Sequence, residues 1–209
     1  MAFATIDGIA TRYEVLGSGP PLLLYAPGGF DATVEKWTTL GIYKEIRFLD
    51  HLPRHFTCIA FDRREAGRSG GRVERITWAH YARQGKGLLE HLGLEHAHVM
   101  GGCMGANITA AFADRYAALN VEDYRPVVAG MARALLDRDT APGAEPEDLL
   151  RLKVPTLIVP GSDASHATSA ARYLAECIPG AEYWDVPVAE QKPDVTNARV
   201  LAFLDQVGN

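Results

Sequence analysis

The 209-residue chain is 47% hydrophobic and sets 21 Lys and Arg against 26 Asp and Glu, a formal net charge of −5. That length supports one well-cored domain over residues 1–209, and an acidic balance with no basic cluster argues against nucleic acid or an anionic membrane surface as partner, leaving a small-molecule ligand. No basic-plus-apolar leader and no apolar run of about 18 residues appears. The three cysteines, Cys58, Cys103 and Cys177, are odd in number and far apart, which fits a reducing cytoplasm and no disulfide framework. None has zinc-like pairing with histidine, so no metal or cofactor is expected.

In chain order, Phe3 to Asp7 and Ile9 to Leu16 read as two short strands around Gly8. Pro20 to Ala26 is a continuous apolar run ending at Pro27-Gly28-Gly29, the pattern of a strand buried on both faces. Val34, Trp37, Leu40, Ile46, Phe48, Leu49 and Leu52 recur at roughly helical intervals over 33–52. Phe56 to Phe61 is the next strand; Trp78 to Leu92 is the next helix, with Tyr81, Leu88, Leu89 and Leu92 as its apolar stripe. A strand at His98 to Met100 is followed by helical stretches at 106–118 and 121–137. Asp139 to Asp148, rich in Pro, Gly and acid, reads as an exposed loop. A strand at Thr156 to Val159, a helix over 167–177, a strand at Tyr183 to Val186 and a helix over 196–207 close the chain. Strands alternating with helices through short turns imply an α/β fold with a mostly parallel sheet covered on both faces.

Residues 97–109 read Ala-His-Val-Met-Gly-Gly-Cys-Met-Gly-Ala-Asn-Ile-Thr: a strand, a tight turn bearing a thiol, and a helix start. A residue projected from such a turn takes poor backbone angles and needs small neighbours two positions either side, where Gly101 and Gly105 stand. The N-terminal end of the following helix favours a thiolate and can hold an oxyanion. Cys103 is therefore the candidate nucleophile; the alternative is a tight turn around a buried structural cysteine.

Four segments, in order, resemble the α/β-hydrolase family: Ala26-Pro27-Gly28-Gly29-Phe30, the run from Phe61 to Ser69, the Cys103 turn, and Val154 to Asp163. The resemblance implies the α/β-hydrolase fold, with an oxyanion hole drawn from the N–H groups of Gly29 or Phe30 and of Met104. Two departures stand out. The family usually carries serine where this chain has Cys103, although dienelactone-type hydrolases use cysteine there. The family also places its histidine just after the last strand, and here Asp185 to Pro193 contains none.

The seven histidines sort by position. His51, His55 and His80 fall on or beside helices, His91 ends one, and His96 and His98 precede or begin the strand before Cys103. All six read as structural. His166, in Gly161-Ser-Asp163-Ala-Ser-His166, lies beyond the carboxyl end of a strand, where open parallel sheets put their ligand sites, and is the candidate general base. Its alternative role is to cap the helix from Ala167. Three acids compete to orient it: Asp163 at the position matching the family acid, Glu190 in the loop where the family histidine would sit, and Glu65. Arg64 and Glu65 are candidates for the pocket wall, or else a salt-paired loop, whereas Asp62 and Ser69 read as fixing their own turn.

No apolar strand separates Ala106 to Tyr116 from Val121 to Leu136, so one strand of the sheet is expected to be missing and 119–150 to form a reduced cap. An open edge would invite a homodimer, with Met131, Leu135 and Leu136 as cap or interface candidates, the alternative being that they pack helices within one subunit. The function these features imply is a cofactor-free hydrolase acting on a small ester, lactone or thioester. A catalytically weak ligand-binding protein of the same fold, or a carbon–carbon bond hydrolase or haloperoxidase-like enzyme, are the alternatives.

Overall fold

The structure, a computed structural model, describes residues 1–72, 76–117, 146–161 and 168–207. Strands β1 (Ala2–Ile6) and β2 (Ile9–Leu16) form an antiparallel hairpin with Ile6 opposite Ile9. Its two-residue turn, Asp7 at φ 52° and Gly8 at φ 71°, has the double left-handed geometry that matches the twist of the strands it joins. β3 (Pro21–Tyr25), β4 (Thr57–Phe61) and β5 (His98–Gly101) complete a five-stranded sheet in the order β1-β2-β4-β3-β5. β3 runs parallel to both β4 and β5, while β2 meets β4 antiparallel. Strands β6 (Leu157–Ile158) and β7 (Glu182–Tyr183) make a second, parallel pair.

The apolar run of β3 is explained by its two faces. Leu22 and Leu24 join Trp37, Phe48, Leu52 and Phe203 on one side; Leu23 and Tyr25 join Ile59, Phe61, Leu88 and Ile108 on the other. Successive strand residues point to opposite faces, and each fully buried leucine contributes about 1.5–3 kcal/mol relative to exposure. The first face is covered by the segment after β3 and by the C-terminal helix Pro193–Val207. The second is covered by helices Trp78–His91 and Met104–Ala117.

Several sequence expectations need adjustment. The periodic stretch 33–52 is not one helix but three short ones, Lys36–Thr39, Gly41–Ile46 and Phe48–His51. Leu40 is extended and Arg47 is left-handed, so the chain turns twice while still burying Val34, Trp37, Ile46, Phe48 and Leu52. The strand expected at Tyr183 to Val186 is the two-residue β7, and the last helix begins at Pro193, a residue suited to a first helical turn because its missing N–H is not needed there. The expected loop over Asp139 to Asp148 ends in a short helix, Pro146–Leu149, anchored by buried Leu149. Its earlier part, the helix expected at 121–137 and nearly all of the reduced cap, Met131, Leu135 and Leu136 included, lie outside the described residues. Among the described residues β5 has β3 as its strand partner, and no strand joins β5 to β6. Nor is any described helix long and apolar enough to cross a membrane.

Candidate active site

Register places the candidate site. Tyr25 at the end of β3 lies opposite Phe61 of β4 on one side and Gly101 of β5 on the other. Three parallel strands therefore finish level, and the loops that follow them, beginning at Ala26, Asp62 and Gly102, leave from one sheet edge. This is where ligand sites of open α/β sheets are built.

The loop after β5 has the backbone of a strained elbow. Cys103 sits at φ 55°, one of four described non-glycine residues with positive φ, and helix Met104–Ala117 starts at the next residue. The flanking glycines are needed for contact as well as conformation. A Cβ on Gly101 would fall on the Gly105 carbonyl oxygen, and one on Gly105 would fall on the carbonyl oxygen of Tyr25. A Cβ on Gly102 would press within 2.8 Å of the Tyr43 ring. The turn is closed by Gly105 N–H donating to Gly102 O (2.8 Å) and Ala106 N–H to Cys103 O (3.0 Å).

Donors for an oxyanion are open at the same edge. Among the described residues no acceptor takes the N–H of Met104, Gly29 or Phe30, whereas Asp31 N–H turns back to Gly28 O at 3.0 Å. Gly28 at φ 122° and Gly29 at φ 58° shape that loop, and Phe30 is 79% exposed at its tip. Of the three thiols, Cys103 and Cys177 are partly buried and Cys58 is fully buried; burial pushes the Cys58 thiol up to about 12.

The loop after β4 divides its residues between scaffold and site. Asp62 is buried and accepts from Val34 N–H (2.9 Å), Arg68 N–H (2.8 Å) and Arg12 Nη1 (2.8 Å). Ser69 donates to Asp62 O at 2.7 Å and accepts from Arg12 N–H at 2.9 Å. Both thus fix their own turn, as the sequence suggests. Arg64 is buried, with Asp7 and Glu65 oxygens 3.9 Å away, and Glu65 accepts the Arg72 N–H at 3.0 Å. These two pocket candidates are engaged with the β1–β2 turn and with their own loop. Arg63, which the sequence does not single out, lies beside Tyr81 of the neighbouring helix. It is 2% exposed, its guanidinium lies 4.6 Å from the centroid of the Tyr81 ring, and its Nε, Nη1 and Nη2 have no hydrogen-bond partner. Burial lowers the Arg63 pKa, against the opposing influence of Tyr81 and Cys103. Gln84 is a second residue sequence patterning missed. Buried in helix Trp78–His91, it accepts the Arg64 N–H (2.8 Å) and donates to Thr11 (3.1 Å). A polar residue on an apolar helix stripe was the available signal for it.

His166 and Asp163 lie outside the described residues. Glu190 is exposed at the end of the single helical turn Val188–Glu190. The next residue, Gln191, is buried and ties the loop down by donating to Pro160 O (2.9 Å) and Val186 O (3.2 Å). Among the other histidines, His80 caps its helix, with Nδ1 accepting Thr77 N–H at 3.1 Å. His98 stacks edge-on to Phe56, its ring centroid 5.8 Å away, and burial lowers its pKa.

A family model described as the alpha/beta hydrolase fold matches residues 21–131. A curated relative, the dihydrolipoyllysine-residue acetyltransferase component of the acetoin cleaving system of Cupriavidus necator, is 32% identical over 111 residues, 53% of this chain and 27% of that protein. The matched segment thus spans about a quarter of the relative's length. Among solved structures, a meta-cleavage product hydrolase from Pseudomonas fluorescens superposes with a TM-score of 0.73 at 18% identity, covering 99% of this chain and 98% of that one. An enol-lactonase from Burkholderia xenovorans gives 0.73 at 19% identity, covering 98% and 100%.

Proposed function

Because the chain belongs to the alpha/beta hydrolase fold family, we propose that it hydrolyses a small ester, lactone or thioester through Cys103. The observation that carries this is a cysteine held at φ 55° between a parallel strand and a helix. An L-residue in that conformation costs about 1–2 kcal/mol, which glycine would avoid were the turn only a turn. In this reading the strain serves to set a half-buried thiol at the start of the helix, where unpaired N–H groups favour thiolate.

In the proposed reaction His166 takes the Cys103 thiol proton and the resulting thiolate adds to the substrate carbonyl carbon. The resulting oxyanion is held by the N–H of Met104 and that of Gly29 or Phe30, each such donor being worth roughly 3 kcal/mol in the transition state. Collapse breaks the bond to the leaving oxygen or sulfur, which takes a proton from His166, leaving an acyl-thioester. His166 then deprotonates a water that attacks the acyl carbon, releasing the acid and restoring Cys103. Asp163 or Glu190 orients His166 in this scheme. A net charge of −5 supports a small-molecule partner over nucleic acid, and three separate cysteines support a cytoplasmic setting.

The test is site-selective labelling. At pH 8, an electrophilic probe followed by intact-mass and peptide analysis should modify Cys103 well before Cys177, with Cys58 untouched until the protein unfolds. Equal labelling of all three would reject an activated thiol. His166→Ala should lower turnover at least tenfold, since general-base catalysis contributes about a hundredfold or more; unchanged turnover would remove His166 as base.

A further inference from the structure

We propose that Arg63 forms a carboxylate subsite beside Cys103, so that the substrate carries a carboxylate close to its reacting carbonyl. The inference rests on Cys103 being the nucleophile and adds the chemical class of what it attacks.

Three buried arginines make the comparison. Arg12 is 3% exposed and faces Asp62 at 2.8 Å and Glu35 at 2.9 Å, with Glu14 also in contact. Arg64 has Asp7 and Glu65 within 3.9 Å. Arg63, as deeply buried, has among the described residues neither a carboxylate partner nor a hydrogen bond on any of its three nitrogens. A buried cation without an acceptor is unfavourable in a folded protein unless something complements it. The Tyr81 ring, 4.6 Å from the guanidinium carbon, covers part of that need and steadies the group. The N–H groups still have no acceptor, and a guanidinium presents them as a planar fork that fits a carboxylate in bidentate fashion.

Position makes the subsite useful. Arg63 stands two residues beyond Phe61 and Cys103 two residues beyond Gly101, and both of those residues flank Tyr25 in the sheet register. Adjacent strands lie about 4.8 Å apart, so the two loops start roughly 10 Å from each other, a span that a small bifunctional acid can bridge. Cys103 is among the groups that oppose the burial-driven lowering of the Arg63 pKa.

The test uses two probes of nearly equal size, iodoacetate and iodoacetamide, each alkylating a thiolate with loss of iodide. Rates are read at Cys103 by mass spectrometry. Iodoacetate should react saturably and, at low concentration, at least fivefold faster than iodoacetamide, and benzoate should protect Cys103 where benzyl alcohol does not. Arg63→Gln should lower the iodoacetate-to-iodoacetamide ratio at least fivefold, and Arg63→Lys should keep part of it. In the unmodified protein, alkylation by iodoacetamide with no preference for iodoacetate and no benzoate protection would overturn the subsite alone. Should Arg63→Gln slow both reagents equally and shift the pH at which the thiol ionises, Arg63 would be a partner of the thiolate and the subsite would again be overturned. No alkylation of Cys103 by either reagent would overturn the nucleophile assignment, and the subsite with it.

Discussion

Two loops leave the same sheet edge and treat backbone strain in opposite ways. The loop after β4 holds Glu65 at φ 67° and the loop after β5 holds Cys103 at φ 55°. Around Glu65 the backbone and the carboxylates are paired: its N–H reaches Gly70 O at 3.1 Å, its carboxylate takes Arg72 N–H at 3.0 Å, and Asp62 accepts three donors. Around Cys103, among the described residues, the N–H donors of Met104, Gly29 and Phe30 meet no acceptor and the nitrogens of Arg63 make no hydrogen bond. Strain tied down by local hydrogen bonds holds a scaffold. Strain bordered by unmet polar groups is the observation on which the proposed site at Cys103 rests.

The largest effect that would test this contrast is Asp62→Ala. It strips three hydrogen bonds and leaves Arg12, 3% exposed, short of its best-buried counter-charge. Breaking such a pair costs about 3–5 kcal/mol, to be read as a lowered midpoint in urea unfolding; a loss under 1 kcal/mol would show the loop is not the scaffold described. Gly105→Ala comes next, because its new Cβ meets the Tyr25 carbonyl and cannot turn away. Overpacking of this kind costs about 1–3 kcal/mol, and turnover should fall with it as the elbow shifts.

A pH effect follows from Cys58. Its folded-state pKa is raised from 9.0 to about 12 by burial, so between those values the unfolded chain releases a proton that the folded chain keeps. Unfolding free energy should therefore decline as pH rises above 9, by about 1.4 kcal/mol per pH unit. Cys58→Ala should flatten that slope at alkaline pH, and an unchanged slope would assign it to other groups. The smallest expected change is the stability of Cys103→Ala, within about 0.5–1 kcal/mol of the parent, while turnover on any substrate found falls at least a thousandfold. A large stability loss from this substitution would turn Cys103 into a structural residue and collapse the contrast between the loops.

Sequence alone was enough for the elements that depend on local pattern. The continuous apolar run of β3, the Asp7-Gly8 turn, the stripe of Tyr81, Leu88 and Leu89, and the spacing of Gly101 and Gly105 around Cys103 each follow from strand or helix periodicity, or from the need for small residues in a sharp turn. Asp62 and Ser69 were legible as turn-fixing residues because short polar side chains satisfy nearby backbone. Tertiary structure decided what neighbours supply. Three adjacent positions, Asp62, Arg63 and Arg64, receive different surroundings because successive residues leaving a strand face different directions: one toward Arg12, one toward Tyr81, one toward Asp7. No local pattern distinguishes Arg63 from Arg64. Their burial and their partners come from strands and helices distant in sequence, and that long-range packing gives Arg64 the carboxylates of Asp7 and Glu65 and Arg63 the ring of Tyr81, the difference on which the proposed subsite rests.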